Sequence, residues 1–103
     1  MNNNYDITVQ DLQKLLDGET KINLIDVRNP DEYEEDNINA ELIPLGDLPD
    51  RINELEDRKG QDIYIHCRSG ARSDRAKQYL IANGFENVHN VLGGMMAYRD
   101  NIK

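Results

Sequence analysis

The stretch "DIYIHCRSGARSDRAKQYLIANG", residues 62–84, decides the fold and holds the only cysteine of the chain. Its first part, "DIYIHC", is short, apolar and β-branched, which is typical of a buried strand. Its last part, "SDRAKQYLIANG", repeats apolar residues at helical spacing and ends on Gly84, a residue suited to close a helix. The stretch therefore predicts a strand, a tight loop at residues 67–72 and a helix that begins near Ser73.

Similar short apolar runs alternate with helical patterns along the rest of the chain. Further strands are predicted at 22–27, 41–45 and 87–92, and further helices at 8–18, 29–36, 48–56 and 93–100. Pro44 marks an end or an edge position of its strand. This alternation predicts an α/β fold with a mostly parallel sheet and helices on both faces. In such folds, ligands bind beyond the carboxyl ends of the strands, where the loop at 67–72 begins.

Length and charge limit the possible functions. The chain has 103 residues, which predicts one domain over residues 1–103. Its net charge of −8 argues against a nucleic-acid partner or an anionic membrane surface. The start, "MNNNYDIT", lacks the features of a signal peptide, and no apolar run is long enough to span a bilayer. We therefore expect a cytoplasmic location.

Positive charge is concentrated around Cys67. Residues 65–80 contain four Lys or Arg and one Asp, within an acidic chain. A helix N-terminus adds free amide donors, and Gly70 allows the loop to turn them inward. Such surroundings should lower the pKa of the thiol and attract an anion. A lone cysteine is more often a small buried hydrophobe, but the position between strand, basic loop and helix favours a reactive thiol.

The remaining polar candidates are weaker. His66 precedes Cys67, and adjacent strand residues point to opposite faces, so His66 is interpreted as a packed side chain. His89 is interpreted as surface or structural. Two histidines and one cysteine do not make a recognisable metal site, and we expect no metal. Asp26 and Arg28, in "LIDVR", should face the same way at a strand end, either to orient the loop or as part of an ion pair of Arg28 with Glu32 or Glu35.

Four motifs in order resemble the single-domain rhodaneses, a family of sulfurtransferases, along nearly the whole chain: "LIDVRNPDEY", "IPL", "IHCRSGARS" and "GFENVHNVLGGMMAY". The resemblance implies a three-layer α/β/α fold with a five-stranded, mostly parallel sheet, and no cofactor. It also implies that Cys67 carries a persulfide, that Asp26 and Arg28 support the site, and that five residues form the substrate-binding loop. Those five are Arg68, Ser69, Gly70, Ala71 and Arg72.

The resemblance further implies the reaction and its partners. A small anionic donor such as thiosulfate would give its outer sulfur to Cys67, and a thiol, cyanide or a sulfur-accepting protein would remove it. Two departures from the family pattern stand out. The segment "DNINAELIP", which begins at Asp36, lacks the glycines and the histidine that relatives carry before I-P, so the loop at residues 36–40 should differ in shape. Tyr98 replaces a frequent tryptophan, which should affect packing only.

Two other functions remain open. A cysteine phosphatase or arsenate reductase also places a thiolate in an anion-binding loop, but phosphatases resemble C-x-x-x-x-x-R, whereas four residues separate Cys67 from Arg72 here. A relay or binding module would pass sulfur to a protein partner or merely dock on it, and the acidic run at residues 31–36 is a candidate docking face. The presence of Cys67 with both loop arginines favours activity over an inert module.

Overall fold

A computed structural model describes residues 4–102. Within these residues the sheet has four strands in the order β2-β1-β3-β4, and every neighbouring pair is parallel. The strands are β1 (Asn23–Asp26), β2 (Glu41–Leu42), β3 (Asp62–His66) and β4 (Asn87–Asn90). The helices are α1 (Val9–Asp17), α2 (Pro30–Glu35), α3 (Leu48–Arg51), α4 (Ala71–Ala82) and α5 (Gly94–Asn101), with 3-10 turns at Leu45–Asp47 and Ile52–Arg58. The predicted alternation of strands and helices is confirmed.

Two apolar cores lie on opposite faces of the sheet. Ile25 and Ile65 pack with side chains of α3 and α4 in one core. Their neighbours Leu24 and Tyr64 pack with α1 and α5 in the other. Because successive strand residues point to opposite faces, continuous apolar strands supply both cores. The three-layer α/β/α arrangement follows directly from this pattern.

The expected fifth strand is reduced to a single parallel bridge between Ile7 and the chain just beyond β4. Where a longer fifth strand would bond the backbone of β4, side-chain oxygens accept from its amides instead. Asn4 Oδ1 accepts from the amide of Val88 at 2.9 Å, and Asp6 Oδ1 accepts from the amide of Asn90 at 3.0 Å. The outer edge of β4 is thereby satisfied by side-chain oxygens, which also blunts an exposed strand edge.

The ends of several elements follow local sequence signals. Thr8 Oγ1 accepts from the amide of Asp11 at 3.1 Å and caps α1 as its sequence predicts. Pro44 follows β2, which is an edge strand. Helix α4 begins two residues before Ser73, because Gly70 adopts a positive φ of 108° and turns the chain directly into the helix. None of the helices in residues 4–102 has the length and apolarity to cross a membrane.

Candidate active site

The carboxyl ends of three strands bring the candidate residues to one edge of the sheet. Asp26 ends β1, Asn90 ends β4 and Cys67 directly follows β3. All three are almost completely buried. The parallel topology therefore brings buried polar residues from distant positions in the sequence to the sheet edge where the thiol lies.

The sulfur of Cys67 accepts three hydrogen bonds from the start of α4. The amides of Gly70 and Ser73 donate at 3.1 and 3.4 Å, and the Ser73 hydroxyl donates at 3.3 Å. Burial raises the pKa of the thiol, but the hydroxyl and amide of Ser73, followed by the amides of Gly70 and Ser69, outweigh it, and the pKa is lowered. The thiolate is thus stabilised mainly by loop donors at a helix N-terminus, rather than by the arginine charges that the sequence suggested.

Ser73 is the central polar contact of the site, and the sequence reasoning missed it. Its hydroxyl oxygen lies 3.1 Å from the carbonyl oxygen of Gly70 and 2.5 Å from Asn90 Oδ1, in addition to the Cys67 sulfur. One hydroxyl proton is therefore shared among three acceptors. Asn90 Nδ2 donates to the Gly70 carbonyl at 3.2 Å, which directs its Oδ1 toward Ser73. The tendency of ligands to bind beyond the carboxyl ends of parallel strands could have pointed to Asn90, since Asn90 ends the neighbouring strand β4.

Helix α5 closes over the loop at residues 67–72. The amide of Met95 donates to the carbonyl of Cys67 at 2.9 Å, and the amide of Met96 donates to that of Arg68 at 3.0 Å. A Cβ at Gly94 would lie 2.3 Å from the Cys67 carbonyl oxygen, so only glycine permits this approach. The first turn of α5 satisfies the loop carbonyls, while the first turn of α4 satisfies the sulfur.

The structure places Arg72 against α2. Its Nη1 and Nη2 atoms lie 2.6 and 2.8 Å from the two carboxylate oxygens of Glu32. Glu32 also accepts from the amide of Asn29 at 3.1 Å, at the start of α2. The hydrogen bonds from Arg72 outweigh partial burial and lower the pKa of Glu32 to about 2. Glu32 was missed as a partner of the loop because the contact joins residues that are 40 positions apart.

Asp26 and Arg28 do face the same way, and they pair with each other. Arg28 Nη2 lies 2.8 Å from Asp26 Oδ2, and both side chains are buried. The same guanidinium donates to the carbonyl of Asp36 at 2.7 Å. The alternative pairing of Arg28 with Glu32 or Glu35 was wrong, because the carboxylate two residues earlier on the same strand face is directly in reach.

The two histidines are structural in their contacts. His66 is buried, both of its ring nitrogens lack a hydrogen-bond partner, and its Nε2 lies 3.7 Å from Asp26 Oδ2. Burial lowers the pKa of the His66 ring and outweighs the nearby Asp26 carboxylate, which raises it; the charge of Arg28 lowers it further. His89 is also fully buried and bonds the carbonyl of Tyr5 and the carboxylate of Asp62. The interpretation of His66 as a packed side chain is consistent with this environment.

A cavity of about 160 Å³ opens beside the loop, and we call it the site mouth. Its lining residues are Arg28, Glu32, Glu35, Arg68, Met95, Met96 and Arg99. Arg68 is exposed, and no described residue forms an ion pair with it. Arg99 lies 2.8 Å from the carboxylate of Asp36. The site mouth is thus bordered by α2, by α5 and by Arg68 of the loop that contains Cys67.

The two departures from the resembled pattern bear mainly on a second, larger cavity. That cavity, of about 1160 Å³, is lined by residues 37–41 and by parts of α1, and no residue of 67–73 lines it. Asn39 has a positive φ of 62° there, a backbone conformation that favours glycine and that asparagine also tolerates. Tyr98 is largely buried and donates to Gln13 Oε1 at 2.6 Å, which ties α5 to α1. Tyr98 therefore contributes packing, as expected.

Comparison with known proteins agrees with this architecture. Residues 8–101 match the model of the rhodanese-like domain. The chain belongs to the rhodanese-like family. This rhodanese-like domain superposes on the crystal structure of a rhodanese-like domain protein from Staphylococcus aureus with a TM-score of 0.83 and 36% identity, over 92% of this chain and 90% of that one.

Several curated relatives carry names that concern sulfur, and two of them illustrate the similarity. A sulfurtransferase of Allochromatium vinosum is 39% identical over 87 residues, which cover 84% of this rhodanese-like domain and 78% of the relative. YrkF of Bacillus subtilis, whose name describes a sulfur carrier, is 37% identical over 91 residues. The match spans 87% of this chain but only 48% of YrkF, about half of its length.

Proposed function

We propose that the protein transfers sulfane sulfur through a persulfide on Cys67, from a donor such as thiosulfate to a thiol or cyanide. The observation that carries the proposal is the sulfur of Cys67, which accepts one hydroxyl and two amide hydrogen bonds at the N-terminus of α4. This environment lowers the pKa of the thiol and so favours the thiolate, the form that attacks sulfur. The names of the two relatives support the same chemistry.

The proposed reaction has two displacement steps. The Cys67 thiolate attacks the outer sulfur of thiosulfate, the S–S bond breaks, and sulfite leaves with the bonding electron pair. Cys67 then holds a persulfide. Cyanide or a thiolate attacks the outer sulfur of this persulfide, forms thiocyanate or a new persulfide, and returns the cysteine thiolate. The hydrogen-bond donors at the start of α4 stabilise the negative charge on sulfur in both steps.

The position of Arg72 argues against a phosphatase. A phosphoryl-transfer loop needs its arginine directed at the oxyanion, whereas both terminal nitrogens of Arg72 bind Glu32. The loop also has only four residues between Cys67 and Arg72. Sulfur transfer needs hydrogen-bond donors for a single sulfur atom, and three such donors bond the sulfur of Cys67.

A sulfur relay to a protein acceptor is the second candidate function. Met96 lines the site mouth and is 50% exposed, and Leu92, just before α5, is 48% exposed. Apolar side chains in such positions suit contact with a protein surface. If the relay is the true role, a protein thiol will discharge the persulfide and small thiols will not.

The test is a steady-state assay that follows thiocyanate formation from thiosulfate and cyanide. Wild-type protein should turn over, and Cys67→Ser should fold normally and lose all activity, because a serine alkoxide is not formed at neutral pH. Full activity of Cys67→Ser would refute the proposal.

A further inference from the structure

We infer that Asn90 is a positioning residue for Cys67: its side-chain oxygen holds the hydroxyl proton of Ser73 while the cysteine sulfur is neutral, and releases that proton when the sulfur becomes negative. Asn90 acts through Ser73, because no hydrogen bond joins Asn90 to the sulfur within residues 4–102. The inference rests on the proposed sulfur transfer for its role in the reaction, but the ionisation of the thiol is measurable without any sulfur donor.

The hydroxyl proton of Ser73 has two competing destinations. The hydroxyl oxygen lies 2.5 Å from Asn90 Oδ1 and 3.3 Å from the sulfur of Cys67. While the sulfur is neutral, the amide oxygen is both the nearer and the stronger acceptor, because sulfur is a weak one. A negative sulfur is a much stronger acceptor, since hydrogen bonds to charged groups are about twice as strong as neutral ones. The hydroxyl therefore turns from Asn90 to the sulfur as the thiolate forms.

The carbonyl of Gly70 fixes the orientation of the Asn90 amide group. Asn90 Nδ2 donates to this carbonyl oxygen at 3.2 Å. The carbonyl also accepts from the amide of Asp74 at 3.0 Å, the first hydrogen bond of α4, so its own position is set by the helix. Turning the Asn90 amide over would place Oδ1 against the carbonyl oxygen, two acceptors with no proton between them. The oxygen of the amide, and not its nitrogen, therefore faces Ser73.

The main chain of Asn90 is held by residues 4–7, which we call the N-terminal strap. The amide of Asn90 donates to Asp6 Oδ1 at 3.0 Å, and its carbonyl accepts from the amide of Ile7 at 3.0 Å. The same Asp6 oxygen lies 2.6 Å from the Nζ atom of Lys77, a largely buried side chain on α4, one helical turn beyond the serine. The strap thus ties the end of β4 to the helix that carries the hydroxyl, and Asn90 stays within reach of it.

Asn90 consequently favours the neutral form of the thiol. When the hydroxyl turns to a negative sulfur, Asn90 Oδ1 loses its donor, and Asn90 is buried, so bulk water does not replace that donor. This cost makes the Cys67 thiolate more basic than the other hydrogen bonds alone would leave it. A more basic thiolate is a stronger nucleophile for sulfur uptake and a poorer leaving group when an acceptor removes the sulfur. Asn90 therefore sets the balance between the two steps.

The charged and titratable groups around the thiol are the same in every variant used below. Three ion pairs lie on the elements that surround it, Asp26 with Arg28, Glu32 with Arg72, and Asp6 with Lys77. Two histidines lie within the sheet, His66 and His89, and three further charged groups line the site mouth, Glu35, Arg68 and Arg99. Because a substitution of Asn90 by an uncharged residue changes none of these groups, a change in thiol ionisation reports the hydrogen bonds.

The experiment follows alkylation of Cys67 by iodoacetamide as a function of pH, with each rate divided by the high-pH plateau of the same variant. Asn90→Leu removes both polar atoms of the amide and leaves a side chain of similar size. It should react about fivefold faster than wild type on the acidic limb, which corresponds to about 1 kcal/mol, the net contribution of one neutral hydrogen bond. The direction is decisive, since a substitution that merely loosened the site would not lower the pH at which the thiol ionises.

Two controls separate this mechanism from a general effect of the substitution. In the Ser73→Ala background the hydroxyl is gone, so adding Asn90→Leu should change the normalised rate by less than about twofold. Asn87→Leu makes the same change at the opposite end of β4, where the Asn87 amide bonds the carbonyl of Gly60, and should also stay within about twofold of wild type. Asn90→Ala repeats the test with a smaller side chain, and thermal unfolding shows that each variant is folded.

The outcomes distinguish this inference from the proposed function. An unchanged or slower acidic limb in folded Asn90→Leu and Asn90→Ala would overturn the role of Asn90. An acceleration that persists in the Ser73→Ala background would overturn it as well, because Asn90 would then act without the hydroxyl. Neither result bears on whether Cys67 accepts sulfur, which the assay with thiosulfate and cyanide decides on its own.

Discussion

Ser73→Ala should reduce the reactivity of the Cys67 thiol without removing the thiol. The hydroxyl of Ser73 lies 3.3 Å from the sulfur and is the strongest of the groups that lower its pKa. Hydrogen bonds to charged groups contribute about 1.5–3 kcal/mol. Because the hydroxyl proton is shared with two other acceptors, we take the low end, about 1.5 kcal/mol, which is about tenfold in the thiolate fraction below the pKa.

The assay is alkylation by iodoacetamide as a function of pH, which reports one site because the chain has one cysteine. Each rate is divided by the plateau rate of the same variant at high pH, so that differences in access cancel. Relative to wild type, Ser73→Ala should be about tenfold slower on the acidic limb of the profile. Ser69→Ala is the matched control: the amide of Ser69 lowers the pKa, but no hydrogen bond of its side chain is seen in residues 4–102.

An unchanged pH profile for Ser73→Ala would refute the reasoning. It would mean that the hydroxyl proton points to Asn90 or to the Gly70 carbonyl in the reactive state, and that the loop amides alone hold the thiolate. An equal shift in Ser69→Ala would also contradict the assignment to Ser73.

The remaining predictions concern stability. Asp26→Asn should leave buried Arg28 without its carboxylate and lower the free energy of unfolding by about 3–5 kcal/mol in denaturant titrations, and a loss below about 1 kcal/mol would contradict this. Gly94→Ala should cost about 1–3 kcal/mol, because its Cβ would lie 2.3 Å from a loop carbonyl oxygen, whereas Gly46→Ala, with open space around it, should not. Glu32 has a pKa of about 2 in the folded protein against 4.5 for the free group, so its stabilising contribution is complete above about pH 4.5 and is lost as the pH falls toward 2. The stability difference between wild type and Glu32→Gln should shrink across that window, and a constant difference would count against the ion pair.

The layered fold and the position of the thiol could be predicted because they depend on local patterns. Apolar strands, helix caps and glycines each act within a few residues, and parallel strands must place Asp26 and Cys67 at one edge. The fifth strand could not be excluded in the same way. Beside the bridge at Ile7, the side chains of Asn4 and Asp6 take the place of backbone partners for β4, and nothing in their local sequence indicates this.

The charge balance of the site was beyond local reasoning. The sequence shows a basic segment around Cys67, but folding brings Glu32 to Arg72 and Asp6 to Lys77, 2.6 Å apart in each case. These ion pairs join residues 40 and 71 positions apart. A count of charges within one segment therefore overestimates the positive charge at the site, because carboxylates from other elements pair with its cations.

The central claim, that Cys67 carries the transferred sulfur, is tested most directly by intact mass. Protein treated with thiosulfate or a hydropersulfide alone should gain the mass of one sulfur atom and stop, because the chain has no second cysteine to discharge a persulfide. Cyanide or a small thiol should then restore the original mass, and Cys67→Ser should never gain it. If the mass stays unchanged with either donor while an acceptor still receives sulfur at the wild-type rate, the covalent route through Cys67 is contradicted.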